Sequence, residues 1–146
     1  MFLENNVNLG HRRLAIVDKK NGKQPMSYNI DGNTYTIVYN GQIYNTKELR
    51  NILKSNGFEF KGNSDTEVLL KAYIYYGKTI CEYLNGIFAF AIWNENENEL
   101  FLARDHFGIK PLYYCLRDNN FIFASEIKAI LKHPKVKAQI DEIRYL

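Results

Sequence analysis

A chain of 146 residues, 46% apolar and 24% charged, has material for one domain with a sizeable core and too little for two, and such a composition excludes a fibrous or wholly disordered polymer. Its net charge of +3 comes from Lys interleaved with Asp and Glu, so no face reads as a phosphate-tracking stripe, and no apolar run reaches the roughly 18 residues of a membrane span. Nucleic acid and membrane are therefore not expected as partners; with no secretory apolar core in residues 1–10, a soluble cytoplasmic protein is.

In chain order, residues 1–9 offer little turn or capping chemistry, and the first strand-like run is Leu14 to Val17. Asn21-Gly22 signals a turn. Asp31-Gly32 predicts a hairpin turn between strands at Met26 to Ile30 and Thr34 to Tyr39. Alternation puts Tyr35, Ile37 and Tyr39 on one face of the second strand and Thr34, Thr36 and Val38 on the other. A helix follows, capped by Asn45 or Thr46, with Glu48 placed for a capping box and Leu49, Ile52 and Leu53 as its buried stripe; Asn56-Gly57 ends it. Phe58 to Phe60 reads as a short strand. Ser64 caps a second helix, with Glu67 completing a box and Val68, Leu69, Ala72, Tyr73 and Tyr76 at helical spacing before Gly77.

A third, short helix is expected around Thr79 to Leu84, and Ile87 to Trp93 is apolar enough for a strand covered on both faces. Polar Asn94 to Asn98 turn it into Leu100 to Arg104. Beyond a loop through Gly108 and Pro111, Leu112 to Leu116 and Phe121 to Ala124 form a hairpin about Asp118 to Asn120, and a helix Glu126 to Leu131 stops before Pro134. Cys81 and Cys115 are too few for a disulfide framework and lack ligand spacing, and the three His are scattered; both thiols read as packing residues, with no metal and no disulfide expected. Many strands with separated helices indicate an α+β fold.

The chemistry concentrates at Tyr39-Asn40-Gly41-Gln42-Ile43-Tyr44-Asn45. Asn-Gly is a common hairpin turn. It is also a side-chain amide beside an unshielded backbone N–H, a pair suited to holding an oxyanion. This stretch resembles the Asn-Gly-Glu-Ile-Tyr-Asn segment of class II glutamine amidotransferases, specifically the glutaminase domain of asparagine synthetases. Gly10 to Asp18, Ser64 to Val68, Gly86 to Trp93, and Ala103 to Tyr114 followed by Ala124 to Lys128 resemble further segments of the same family in the same order.

The resemblance implies the four-layer αββα sandwich of N-terminal nucleophile hydrolases, here without its first strands. It also implies a glutaminase domain over 1–134 and, over 135–146, the lead-in to an absent synthetase domain. Glutamine is the implied substrate, hydrolysed to glutamate and ammonia for the ATP-dependent conversion of aspartate to asparagine. Arg13 would bind the α-carboxylate bidentately, Asn40 and Gly41 would form the oxyanion hole, and Asp65 with the residue at 42 would face the α-ammonium. Family members carry an acid at that last position; here it is Gln42, which keeps an acceptor but not the charge and so weakens ammonium binding by about 1 kcal/mol.

The family nucleophile is a cysteine following the initiator methionine, whose own α-amine serves as base. This chain reads Met1-Phe2-Leu3, so the polypeptide as given is expected to be inactive. Arg104, Asp105, Lys110 and Glu126 read as structural ion-pair and loop residues. ATP and its Mg²⁺ belong to the synthetase half, whose Ser-Gly-Gly-Leu-Asp-Ser loop is not in the sequence, so no cofactor is expected here. A homo-oligomer through an exposed sheet edge is expected. The rival readings are a non-catalytic glutamine-binding or assembly module, and an amidotransferase serving a different synthase.

Overall fold

In the computed structural model, residues 1–4, 7–12 and 22–138 are described. The central element is an antiparallel sheet in the order β3-β4-β5-β6, formed by Met26–Ile30, Asn33–Ile43, Gly86–Asn94 and Glu99–Arg104. Asp31 and Gly32, with φ of 50° and 76°, make the tight turn joining β3 to β4. Alternation along these strands divides two cores. Ile37, Tyr39, Phe88, Phe90 and Ile92 face the helices α1 (Thr46–Ser55) and α2 (Asp65–Tyr76) with Leu49, Leu53, Val68, Leu69 and Ala72. On the other face Val38 and Ala91 meet Leu9, Phe2, Val7 and Phe123.

Those four residues come from two hairpins that form the next layer. One is β1 (Phe2–Glu4) with β2 (Val7–Leu9); the other is β7 (Tyr113–Arg117) with β8 (Asn120–Ala124). Helix α3 (Ile127–Leu131) packs on β7 and β8. Helices, sheet, second sheet layer and helix give the expected α+β αββα order.

Several expectations are corrected. The hairpin β1–β2 was not expected; its apolar partners Phe2, Val7 and Leu9 are spaced by strand alternation, but the run is short. Strand β4 does not stop at Tyr39. It continues to Ile43 because β5 pairs with it as far as Ile43↔Gly86, so Asn40-Gly41 is strand and not turn. Phe58 to Phe60 is not a strand: among the described residues none pairs with it, and Phe58 N–H closes α1 by donating to Leu53 O at 3.0 Å.

Ile52 is 43% exposed, while Leu49 and Leu53 alone carry the buried face of α1. The segment expected as a helix from Thr79 is a 3-10 turn over Gly77–Glu82. The strand-like run Leu14 to Val17 and the first half of the Asn21-Gly22 turn lie outside the described residues, as do residues 139–146.

Neither expected capping box forms. Asn45 makes no cap hydrogen bond; its Nδ2 donates to Tyr83 O at 2.9 Å and its Oδ1 accepts from Asn85 N–H at 3.0 Å, which ties the end of β4 to the start of β5. Ser64 does cap α2, accepting from Thr66 N–H at 3.2 Å. Its box partner Glu67 instead accepts from Lys61 and Gly62 N–H at 2.9 and 3.0 Å, and from Lys71 Nζ at 2.6 Å.

Lys71 is 2% exposed, donates also to Glu59 O, and lies 4.5 Å above the Tyr28 ring and 4.6 Å above Phe60. Burial opposes the charge on Glu67, yet the Lys71 ammonium and the two N–H groups outweigh it and hold its carboxyl below the usual range.

Candidate functional site

The far end of β4 differs from the rest of the sheet because β3 abandons it. The ladder runs from Ile30↔Asn33 to Met26↔Ile37 and ends there. Gln24 stands where the register would place the partner of Tyr39, and its side chain replaces the missing backbone. Oε1 accepts from Tyr39 N–H at 2.6 Å, and Nε2 donates to Tyr39 O at 3.0 Å. The same Nε2 donates to Thr66 Oγ1 at 3.3 Å, so Gln24 joins the edge of β4 to the first turn of α2.

Since Tyr39 spends its backbone groups on this edge, alternation directs those of Asn40 toward Ala89 on β5 and those of Gly41 back toward the edge. Gly41 N–H is thereby aimed at the side that β3 has left. Gly41 and Phe88 form a close, non-hydrogen-bonded pair. A Cβ at 41 would run into Ile87 O and stand 2.8 Å from Phe88 Cα; one at Gly86 would run into Gln42 O. Two glycines on opposite strands thus permit one close crossing of backbone, a demand the sequence reading did not detect.

Asn40 is half-buried and Gln42 exposed. Both project from the face of the sheet turned away from α1 and α2. Asp65, half-buried at the first position of α2, approaches from the helix side, where its Oδ2 accepts from Tyr39 Oη at 2.9 Å and its Oδ1 from Thr66 N–H at 2.9 Å. Tyr39 is buried, and its phenol ionises far above the ordinary range, first through burial and then through the charge of Asp65 beside it. Asn40, Gly41 and Asp65 therefore flank the same stretch of β4, Asn40 from one face, Asp65 from the other and Gly41 N–H along the edge between. Arg13 lies outside the described residues.

Behind β5 the loop after β6 is built on Asp105. It is buried, and its carboxylate accepts from Phe88, Ile109 and Lys110 N–H at 3.3, 2.9 and 3.0 Å, while its own N–H donates to Phe88 O at 2.8 Å. Burial disfavours its charge, but these N–H groups prevail and keep the carboxyl below its usual range. Asp105 thus fixes the strand residue paired with Gly41, and its role is loop organisation as the sequence suggested. Glu126 makes an exposed ion pair with Lys128 at 2.6 Å.

Neither cysteine stands at Asn40. Cys81 packs into the core on the helix side of the sheet, its thiol pushed up by burial and then by Glu82. Cys115 lines an open hollow of about 590 Å³ beneath α3 with Tyr113, Ile127 and Ile130. Among the described residues no group of three or more His, Cys, Asp or Glu could hold a metal ion, and no helix is long and apolar enough to cross a membrane.

Residues 1–145 match the family described as glutamine amidotransferase domain. Among curated relatives, asparagine synthetase [glutamine-hydrolyzing] 3 of Bacillus subtilis (strain 168) is 52% identical over 138 residues, which cover 94% of this chain and 22% of that protein. Amidase chry2 of Gibberella zeae is 40% identical over 126 residues, covering 86% and 18%. The chain therefore spans about a fifth of the length of these relatives. Among solved structures, the glutamine phosphoribosylpyrophosphate amidotransferase of B. subtilis complexed with ADP and GMP superimposes with a TM-score of 0.64 at 28% identity, over 73% of this chain and 25% of that one.

Proposed function

The chain belongs to the glutamine amidotransferase domain family, homologous to the glutaminase domains of asparagine synthetases, and we propose that the edge of β4 is its glutamine site. The observation that carries this is Gly41: its N–H is aimed at the edge β3 vacates, next to the Asn40 amide and two residues from the Tyr39 that holds Asp65. Glutamine lying along that edge would place its side-chain amide oxygen at Asn40 Nδ2 and Gly41 N–H, and its α-ammonium at Asp65 with the Gln42 carbonyl as a second acceptor. Arg13 would take the α-carboxylate.

In the intact enzyme a thiolate adds to the amide carbon, and Asn40 and Gly41 hold the oxygen that becomes negative. The amide nitrogen takes the proton that the nucleophile's own α-amine drew from the thiol and leaves as ammonia when the carbonyl re-forms; water then cleaves the thioester to glutamate and restores the thiol. The ammonia would serve asparagine synthesis from aspartate. ATP and Mg²⁺ would act in a synthetase domain to which residues 135–146 lead from a glutaminase domain of residues 1–134. A cytoplasmic setting fits this chemistry. Self-association through an exposed sheet edge is part of the reading.

Titration calorimetry with L-glutamine tests the site. The wild-type chain should bind, and Asp65→Asn should weaken binding by about 1.5–3 kcal/mol, the worth of a charged hydrogen bond. No heat with wild type would count against the reading. The second reading, a non-catalytic glutamine-binding or assembly module, is favoured by Cys81 packing in the helix-side core and Cys115 lining the hollow beneath α3. For the 146-residue polypeptide itself both readings expect binding without ammonia release, and turnover would refute that expectation.

A further inference from the structure

We propose that Tyr39 is a positioning residue for substrate recognition, its hydroxyl orienting the Asp65 carboxylate toward the α-ammonium while its backbone anchors the strand end that carries Asn40 and Gly41. This rests on the glutamine-binding reading above. The observation behind it is a closed circuit of four residues. Tyr39 Oη donates to Asp65 Oδ2 at 2.9 Å, Asp65 Oδ1 accepts from Thr66 N–H at 2.9 Å, Thr66 Oγ1 accepts from Gln24 Nε2 at 3.3 Å, and Gln24 grips Tyr39 N–H and C=O at 2.6 and 3.0 Å.

Tyr39 enters the circuit through its backbone, to Gln24, and through its side chain, to Asp65. One oxygen of Asp65 is fixed from its own helix and the other from the sheet, so the carboxylate cannot turn about its χ2 axis without losing a bond. A carboxylate has about four acceptor positions, and two remain for a ligand, held in a fixed plane. Tyr39 is buried, so its ring cannot swing away. Burial and the Asp65 charge also keep its proton in place, so it remains a donor across the working pH range.

The circuit thereby fixes the spacing between the end of the site that holds the amide oxygen and the end that holds the ammonium. A staple joining α2 to the sheet would use the same bonds, and what separates the two roles is selectivity for the ammonium. The probes are L-glutamine and 4-carbamoylbutanoate, which is the same molecule without the α-ammonium, each titrated calorimetrically.

Tyr39→Phe keeps the ring and removes the donor. It should lower L-glutamine affinity roughly 5-fold and leave 4-carbamoylbutanoate unchanged to within about twofold, while 4-aminophenylalanine at position 39, which retains a donor, should restore the preference. Asp65→Asn should abolish the preference. If Asp65→Asn abolishes it and Tyr39→Phe leaves it at the wild-type value, or if Tyr39→Phe weakens both ligands equally, Tyr39 is a staple and the inference fails while the glutamine reading stands. A wild-type chain that does not prefer L-glutamine defeats both.

Should Tyr39→Phe not fold, the wild-type protein decides by nuclear magnetic resonance. The Asp65 carboxyl carbon and the Tyr39 ring carbon bearing oxygen should shift together on L-glutamine and stay still on 4-carbamoylbutanoate. A Tyr39 carbon that ignores L-glutamine while Asp65 responds would overturn the inference.

Discussion

At Gly41 fold and site make the same demand. The residue must lack a Cβ because Ile87 O and Phe88 Cα occupy that space, and its N–H must face the edge because Gln24 has already claimed the backbone of Tyr39. The contacting atoms are backbone and cannot rotate away. Gly41→Ala should therefore cost about 1–3 kcal/mol as overpacking, or roughly 2–12 °C in Tm for a chain of this size, and glutamine affinity should fall with it. A calorimetric melt superimposable on wild type would show that the strands part there without cost.

Asn40 and Gly41 were legible as a candidate oxyanion hole because a side-chain amide beside an unshielded N–H carries that chemistry, whereas Asp65 entered through the resemblance. Gln24 was not legible. Its role arises from register, since only the pairing of Met26 with Ile37 shows that residue 24 falls opposite Tyr39.

At the scale of elements, α2 joins the site to the core. Asp65 and Thr66 at its first turn belong to the circuit around Tyr39, and one turn deeper the buried pair of Glu67 and Lys71 secures the connection from α1. Removing one partner of such a pair strands the other charge. Lys71→Met should thus destabilise the chain by about 3–5 kcal/mol, and adding Glu67→Gln should recover part of that loss; urea denaturation of the single and double variants measures both. A double variant less stable than Lys71→Met would contradict this account of the pair.

Helical spacing identified α2 correctly but assigned Glu67 to the cap of its own helix. The carboxylate instead finds the N–H groups of Lys61 and Gly62 and a buried ammonium, partners that appear only once the α1–α2 connection folds back. Phe58 to Phe60 failed as a strand for a related reason. Their pattern was right for burial, but a strand needs a neighbour; the Phe60 ring instead meets the cations Arg50 and Lys71, and the Phe58 ring meets Tyr75 edge-on.

For the whole molecule, two buried carboxylates set the acid limit. Both Glu67 and Asp105 hold their carboxyls below the usual range, so the unfolded chain binds protons more readily than the folded one. Their contribution is complete above the unfolded values near 4.5 and 3.8, and it disappears as pH falls through the lower folded values. Tm should be level from pH 7 to about 5 and drop below about 4, and Asp105→Asn should lower the plateau and flatten the acid slope.

On the alkaline side the sign reverses. Burial, then the nearby charge of Glu99, pushes Tyr73 up to about 12, so the folded state keeps its proton longer and loses that stability as pH climbs from 10 toward 12. The α+β class was readable from the pattern of strands and helices, and the four-layer order from the resemblance alone. The division of cores was readable too, because β5 is apolar on both faces. The β1–β2 hairpin was missed because three-residue strands carry too few alternations to register; its pairing and the Val38 and Ala91 it covers reveal it.

The most direct measurement of the central claim is a crystal structure of the chain with L-glutamine. It should show the side-chain amide oxygen accepting from Asn40 Nδ2 and Gly41 N–H, the α-ammonium on Asp65 and the α-carboxylate at Arg13. Glutamine seated elsewhere, such as the hollow beneath α3, or bound with its ammonium turned from Asp65, would contradict it.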